Sequence, residues 1–292
     1  MPRSVREALR EAATRLAATS DTPRLDAELL IAHALRVSRT ELLLRHMDVE
    51  PPAGLTSILD RRANHEPLAY ILGTQPFYGL DLEVSPAVLI PRGDSETLIE
   101  VARNVRESCP PVRILDCGTG SGALLLAALS LWPQAQGIGL ERSAAAREIA
   151  ARNALLNGLA ARARIVAGDW TQPGWADSLG KFELFLANPP YVEDDADLAP
   201  SVRAHEPAEA LFSGPDGLDD YRILIPEVPR LLAPGGTALF EIGAAQGEAV
   251  TALAHAAGLS ACVHHDLAGR PRTIEMALEE PNISLGKPPL RH

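Results

Sequence analysis

The chain has 292 residues, 46% hydrophobic and 22% charged, an ordinary globular balance that excludes disordered and fibrous classes. Its 27 basic and 38 acidic residues leave a net charge of −11, which argues against gripping a long polyanion through counterion release. No apolar run approaches the roughly 18 residues of a membrane span, and the opening MPRSVREALREAATRL lacks a signal peptide's apolar core. A cytoplasmic monomer that contacts neither membrane nor nucleic acid directly is expected. Lys181 and Lys287 are the only lysines, so the positive charge is nearly all arginine. Cys109, Cys117 and Cys262 are too widely spaced for a disulfide framework or a CxxC metal pair. They read as reduced buried thiols, and no metal site is expected.

The first seventy residues read as helices only: Ser4–Ala18, Leu25–Val37, Thr40–Arg45 and Gly54–Asn64. In the first of these, Val5, Leu9, Ala12, Ala13 and Leu16 form one apolar stripe. Residues 71–93 change character. Phe77 to Val84 alternates with period two around Gly79, a β-hairpin signature, and Pro86 and Pro91 delay any helix until Asp94.

From Asp94 onward helix and strand alternate. Strands are expected at Arg113–Asp116, Gln136–Leu140, Ala163–Ala167, Leu184–Leu186, Thr237–Ile242, Ala261–His265 and Thr273–Leu278. Helices fill the gaps at Glu96–Glu107, Gly122–Leu131, Ala144–Asn157, Leu218–Leu232 and Gln246–Ala257. Such βα units imply an α/β fold with a parallel sheet and ligands at the carboxyl ends of its strands. The last two strands have no helix between them and should pair antiparallel. The expected divisions are 1–70 (helical), 71–93 (hairpin linker), 94–280 (the α/β domain) and 281–292, a proline-rich tail expected to fray.

Three stretches carry chemistry. Asp116-Cys117-Gly118-Thr119-Gly120-Ser121-Gly122 runs from an apolar strand into a helix. Glycines there let the backbone turn sharply against a ligand, although a tight turn with no ligand uses the same residues. Glu141 ends the next strand about twenty residues on, where a carboxylate can accept both hydroxyls of a ribose. The loop is neither GxGxxG nor a phosphate-binding GKS/T loop, which leaves a ribose-containing ligand without a phosphate to cradle; S-adenosylmethionine fits. Gly168-Asp169-Trp170 offers a carboxylate for an adenine amino group and an aromatic wall, or else a capping aspartate beside a core tryptophan.

Phe185-Leu186-Ala187-Asn188-Pro189-Pro190-Tyr191 is the most informative stretch. Two prolines end an apolar strand and fix the backbone just past the sheet. A planar amide or amino nitrogen to be methylated presents N–H groups that want acceptors. Asn188 Oδ1 and a proline-held carbonyl can accept them and orient the nitrogen. Tyr191 can stack on the planar group and exclude water.

The chain resembles the release-factor glutamine methyltransferases, class I S-adenosylmethionine-dependent enzymes. The resemblance runs through Glu66 to Gly73, Phe77-Tyr78-Gly79-Leu80, Leu89-Ile90-Pro91-Arg92-Gly93-Asp94-Ser95-Glu96, GTGSG and NPPY. It continues through Arg203-Ala204-His205-Glu206-Pro207 and Gly214-Pro215-Asp216-Gly217-Leu218. It implies a Rossmann-like class I sheet, parallel with a C-terminal antiparallel hairpin, plus a small N-terminal helical domain. The implied reaction is methylation of N5 of the glutamine in the Gly-Gly-Gln loop of peptide chain release factors. Gly118, Thr119, Gly120, Ser121, Gly122, Glu141 and Trp170 would hold the cofactor, and Asn188, Pro189, Pro190 and Tyr191 the substrate glutamine. In the family proline is usual where Gly93 stands, and aspartate is frequent where Glu141 stands. Arg92, Asp94 and Glu96 either contact a ligand or cap a helix, with Asp94 as N-cap. Three other readings stand beside this one. A ribosomal-protein glutamine methyltransferase shares most of the motifs. An adenine-N6 nucleic-acid methyltransferase shares NPPY, but wants a basic pocket rim. A non-catalytic module on the same fold need not retain both the glycine loop and Asn188.

Overall fold

The structure is a computed structural model that describes residues 4–279. The expected frayed tail at 281–292 and the domain's end at residue 280 lie outside the described residues.

Five helices come first: α1 (Val5–Leu16), α2 (Pro23–Leu35), α3 (Arg39–Arg45), α4 (Leu55–Ala63) and α5 (Leu68–Leu72). Ser4 and Ser38 cap α1 and α3 by accepting from Glu7 N and Glu41 N, and Pro23 opens α2 where its missing N–H costs nothing. The apolar stripes close on one another around Val5, Leu16, Leu30, Ile31 and Leu42. Helix α5 leaves no periodic signal, since its five residues span little more than a turn.

The hairpin consists of β1 (Thr74–Phe77) and β2 (Leu80–Glu83). Tyr78 and Gly79 form its turn, both with positive φ (47° and 78°), the geometry that matches strand twist. Tyr78 is held in that unfavourable conformation from the next helix, α6 (Glu96–Val105). Its amide donates to Glu96 Oε1 (2.8 Å) and its hydroxyl to Glu100 Oε1 (2.6 Å). Phe77 and Leu82 are buried with Leu98 and Ile99 of α6, so the hairpin is part of the α/β core.

The rest alternates as β3 (Arg113–Cys117), α7 (Ala123–Leu131), β4 (Gln136–Glu141), α8 (Ala144–Leu156), β5 (Ala163–Ala167) and β6 (Phe182–Ala187). Three short helices follow, α9 (Pro200–His205), α10 (Asp219–Leu224) and α11 (Val228–Leu231). Then come β7 (Leu232–Glu241), α12 (Gly247–Ala256), β8 (Leu259–His265) and β9 (Pro271–Leu278). The seven-stranded sheet runs β5-β4-β3-β6-β7-β9-β8. The first five are parallel, and β9 is antiparallel to both its neighbours. Leu184 and Leu186 face one core layer and Phe185 and Ala187 the other, which is why this strand reads as one apolar run.

Three expectations need correction. The helix expected over Leu218–Leu232 is broken into α10, a 3-10 turn at Ile225–Glu227 and α11, because Pro226 and Pro229 interrupt the hydrogen-bond ladder. Helix α9 lies in a stretch that reads as loop. Of the three cysteines, all free, Cys117 is buried but Cys109 and Cys262 are exposed.

Candidate active site

Strand register assembles the site. Cys117 pairs with Leu140 on one side and Ala187 on the other, and Ala167 pairs with Glu141. The glycine loop, Glu141, Gly168-Asp169-Trp170 and Asn188 therefore leave the sheet side by side at its carboxyl edge. The chain order reverses between β3 and β6, the crevice in which α/β sheets bind ligands. A cleft of about 950 Å³, open to solvent, occupies that position. Gly118, Thr119, Gly120, Ser121, Glu141, Asp169, Trp170, Asn188 and Pro190 line it. Gly122, Pro189 and Tyr191 do not: Gly122 starts α7 in a left-handed conformation (φ 88°), Pro189 is buried, and Tyr191 faces an adjoining smaller cavity.

The loop end is tightly built. Gly118 N and Thr119 N both donate to Leu140 O (2.9 and 3.1 Å). Glu141 accepts from Gly120 N through Oε2 (3.0 Å) and from Ser143 N through Oε1 (2.8 Å), tying the loop to the end of β4. Gly118 has φ 73°, and a Cβ there would sit 2.9 Å from the Trp170 ring. Trp170 is fixed in turn by its indole N–H, which donates to Asp220 (2.6 Å). Asp169 accepts from the amide and hydroxyl of Thr171 (2.9 and 2.7 Å), which closes a turn and holds its carboxyl below the usual range; no helix follows it.

Asp116 is a site residue that the sequence reading passed over. Its carboxylate ends β3, lines the cleft and is buried. Oδ2 accepts from Thr119 Oγ1 (2.6 Å) and Leu125 N (3.3 Å), while buried Oδ1 has no partner among the described residues. Burial outweighs those bonds and pushes its pKa up to about 7, with nearby Glu141 adding to the rise. An aspartate just before a glycine loop was the only sequence signal.

At the other end, Asn188 leaves β6 half-buried, and its side-chain amide makes no hydrogen bond among the described residues. The backbone after it is held firmly. Val192 N donates to Leu211 O (2.8 Å) and Gln246 Nε2 donates to Tyr191 O (3.0 Å). A Cβ on Gly217, where φ is 68°, would lie 2.4 Å from Tyr191 O. Tyr191 Oη donates to Glu241 at 3.3 Å, and burial raises the phenol's pKa.

The cleft wall comes from outside the sheet. Residues 87–92 line it, as do Pro207, Glu209 and Ala210. Arg92 forms an ion pair with buried Glu206, which also accepts from Ile90 N (3.3 Å). Tyr70 Oη donates to Val88 O (2.6 Å). Asp94 caps no helix: its carboxylate pairs with Arg272 (2.9 Å) and Arg270 (3.5 Å), while Glu96 holds the hairpin turn. Among the described residues no helix is long and apolar enough to cross a membrane.

The comparisons with known proteins agree with this architecture. Residues 7–73 match the family described as PrmC N-terminal domain, and residues 95–206 match the Methyltransferase small domain. The release factor glutamine methyltransferase of Moorella thermoacetica is 43% identical over 277 residues, covering 92% of this chain and 96% of that protein. The one from Caulobacter vibrioides is 41% identical over 243 residues, covering 82% and 83%. Among solved structures, the hMettl16 catalytic domain in complex with the MAT2A 3′UTR hairpin 6 superposes with a TM-score of 0.52 at 12% identity. It covers 70% of this chain and 77% of that one, a likeness of fold alone. With identity above two-fifths over nearly its whole length and both family domains in order, the chain belongs to the release factor glutamine methyltransferase family.

Proposed function

We propose that this enzyme moves a methyl group from S-adenosylmethionine to the side-chain amide nitrogen of the Gly-Gly-Gln glutamine in a peptide chain release factor. The observation that carries this reading is the amide of Asn188, without a hydrogen bond among the described residues and lining a cleft that the glycine loop also lines. The names of the relatives support the choice of substrate.

The loop end suits a cationic, ribose-bearing ligand. The unpartnered Oδ1 of Asp116 calls for a positively charged donor, and the second lone pairs of Glu141 remain free for hydroxyls. Trp170, its ring packed close to Gly118, supplies an apolar wall, and Asp169 an acceptor beside it. When bound there, S-adenosylmethionine supplies an electrophilic methyl group on sulfur.

The chain's own part is to hold and orient the acceptor. Asn188 Oδ1 accepts one N–H of the glutamine amide. The carbonyl that Pro189 and Pro190 hold in place accepts the other, which turns the nitrogen's lone pair toward the cleft. Tyr191 bounds the adjoining cavity and closes the site from that side. The transfer asks for no strong base, because an amide nitrogen that has spent its lone pair loses its proton readily. Residues 1–70 and the 71–93 linker would engage the protein substrate, and residues 94–280 perform the chemistry.

The test uses purified chain, labelled S-adenosylmethionine and a release factor with its Gly-Gly-Gln glutamine intact or replaced by alanine. Label on the intact factor alone, mapped to that glutamine, is the expected result. Label on both, or on neither, refutes the substrate assignment.

A further inference from the structure

Beside the main cleft lies a second cavity of about 680 Å³, open mouth included, lined by Arg92, Gly93, Asp94, Tyr191, Glu241 and Arg272. It shares Arg92 with the main cleft, and Tyr191 is the third residue after Asn188. Register places it at the same edge of the sheet. Ala187 pairs with Phe240 and Glu241 pairs with Thr273, so Glu241 and Arg272 end their strands level with Asn188.

Two of its side chains are buried without full satisfaction. Glu241 is 1% exposed; the Ser95 side chain and, at 3.3 Å, Tyr191 Oη hydrogen-bond to its carboxylate, but Oε2 has no partner among the described residues. Arg272 is 8% exposed; one terminal nitrogen pairs with Asp94 (2.9 Å), while Nε has no partner. A buried acceptor and a buried donor left unmade are costly, and a ligand that supplies both bonds recovers that cost. Both arginines lining the cavity are already paired with carboxylates, Arg92 with Glu206 and Arg272 with Asp94 and Asp266, so neither is left to neutralise an anion. A neutral ligand therefore fits better than a phosphate or a carboxylate. A secondary amide is neutral and carries one donor and one acceptor.

We infer that this cavity is a subsite for the substrate's main chain, in which Glu241 takes a peptide N–H and Arg272 gives a hydrogen bond to a peptide carbonyl at or next to the target glutamine. The inference rests on the function proposed above and deepens it. The main cleft takes the glutamine side chain, and this cavity takes the backbone that presents it. A free carboxamide would lack this second hold, so the site separates a glutamine within a chain from small amides.

The test titrates two ligands into the full chain saturated with S-adenosylhomocysteine, followed by ligand-observed NMR. N-acetylglutamine N′-methylamide keeps both main-chain amides; butanamide keeps only the side-chain end. The capped glutamine should bind at least about tenfold tighter, the equivalent of one recovered buried hydrogen bond. Glu241→Met, which keeps the side chain's length but has no oxygen acceptor, should shrink that gap to within about twofold, with S-adenosylhomocysteine affinity unchanged as the sign of an intact fold. Equal binding of the two by the wild type, absence of binding included, overturns the subsite. So does a gap that survives in Glu241→Met. Should the wild type bind capped glutamine tightly yet transfer nothing to a release factor, the proposed function fails while the subsite stands.

Discussion

At the glycine-loop end of the cleft, Glu141 already has both oxygens on backbone amides, Trp170 is bonded to Asp220, and Gly118 lies against the indole ring. At the Asn188 end the backbone is equally well held, yet the groups that face the ligand are not. Among the described residues the Asn188 amide makes no hydrogen bond, and Glu241 and Arg272 keep unmade bonds. Asp116 Oδ1 apart, the loop end is completed by the chain's own bonds, whereas the Asn188 end keeps several bonds unmade, which on the proposed reading the substrate completes. The difference suits a small cofactor of fixed shape on one side and a protein segment on the other. A rigid cradle costs the cofactor little ordering on binding. Unsatisfied polar groups discriminate among acceptors, because a wrong acceptor leaves them unpaired.

The contrast breaks most visibly at Asn188. Replacing it with alanine should lower turnover at least about a hundredfold while leaving S-adenosylmethionine affinity within about twofold. Single-turnover rates and calorimetric binding on the same preparation check this. An equal loss of affinity would falsify the division between the two ends. Glu141→Ala should do the reverse, weakening the cofactor about tenfold or more, because it removes a ligand acceptor and frees Gly120 N and Ser143 N. An unchanged dissociation constant would remove Glu141 from the cofactor site.

Asp116 sharpens the comparison through pH. Its pKa is about 7 in the folded chain against an ordinary 3.8, so between those values the native state holds a proton that the unfolded chain has released. The ligand-free stability should therefore fall as pH rises through that window and level off above it. A cation placed beside Oδ1 favours the carboxylate instead. Cofactor binding should then expel a proton and tighten severalfold from about pH 6 to pH 8. Calorimetry in two buffers of different ionisation enthalpy reads the released proton, and Asp116→Asn should abolish both effects.

The smallest effect on the site is expected from Asn153. It is fully buried in α8; its amide donates to Glu83 O (2.9 Å) and Ser121 O (2.8 Å) and its oxygen accepts from Glu83 N (2.6 Å). Alanine there unties the hairpin from the glycine loop. A loss of about 2 kcal/mol is expected, a thermal midpoint lower by roughly 4–8 °C, with cofactor affinity down no more than about threefold. A midpoint that does not move would mean the hairpin is held by its apolar contacts alone.

Much of the fold was legible because its signals are local. The parallel strands from Arg113–Cys117 to Phe182–Ala187 are five or six residues long and bounded by turns, and Ser4, Ser38 and Pro23 mark helix starts. Local signals failed where elements were too short, as at Leu68–Leu72 and Pro200–His205, and where Pro226 and Pro229 cut one apparent helix into pieces. The Gly214–Leu218 motif shows the same limit for the site. Its residues are plain in the sequence, but their work, Gly217 against the carbonyl of Tyr191, needs a partner far along the chain.

The sequence by itself determined the alternation of strand and helix, the family, and the two chemical landmarks, the glycine loop and Asn-Pro-Pro-Tyr, since each is written in neighbouring residues. Tertiary structure alone decided how those landmarks became a site. Asp116 became an unpartnered buried acceptor only because Thr119 and Leu125 engaged its other oxygen. Arg92 and Glu206 met across 114 positions to fix the cleft wall, and Glu241 and Arg272 were brought level with Asn188 by the pairing of β6, β7 and β9. Burial and unmade bonds are properties of what surrounds a side chain, and those surroundings come from every part of the chain at once.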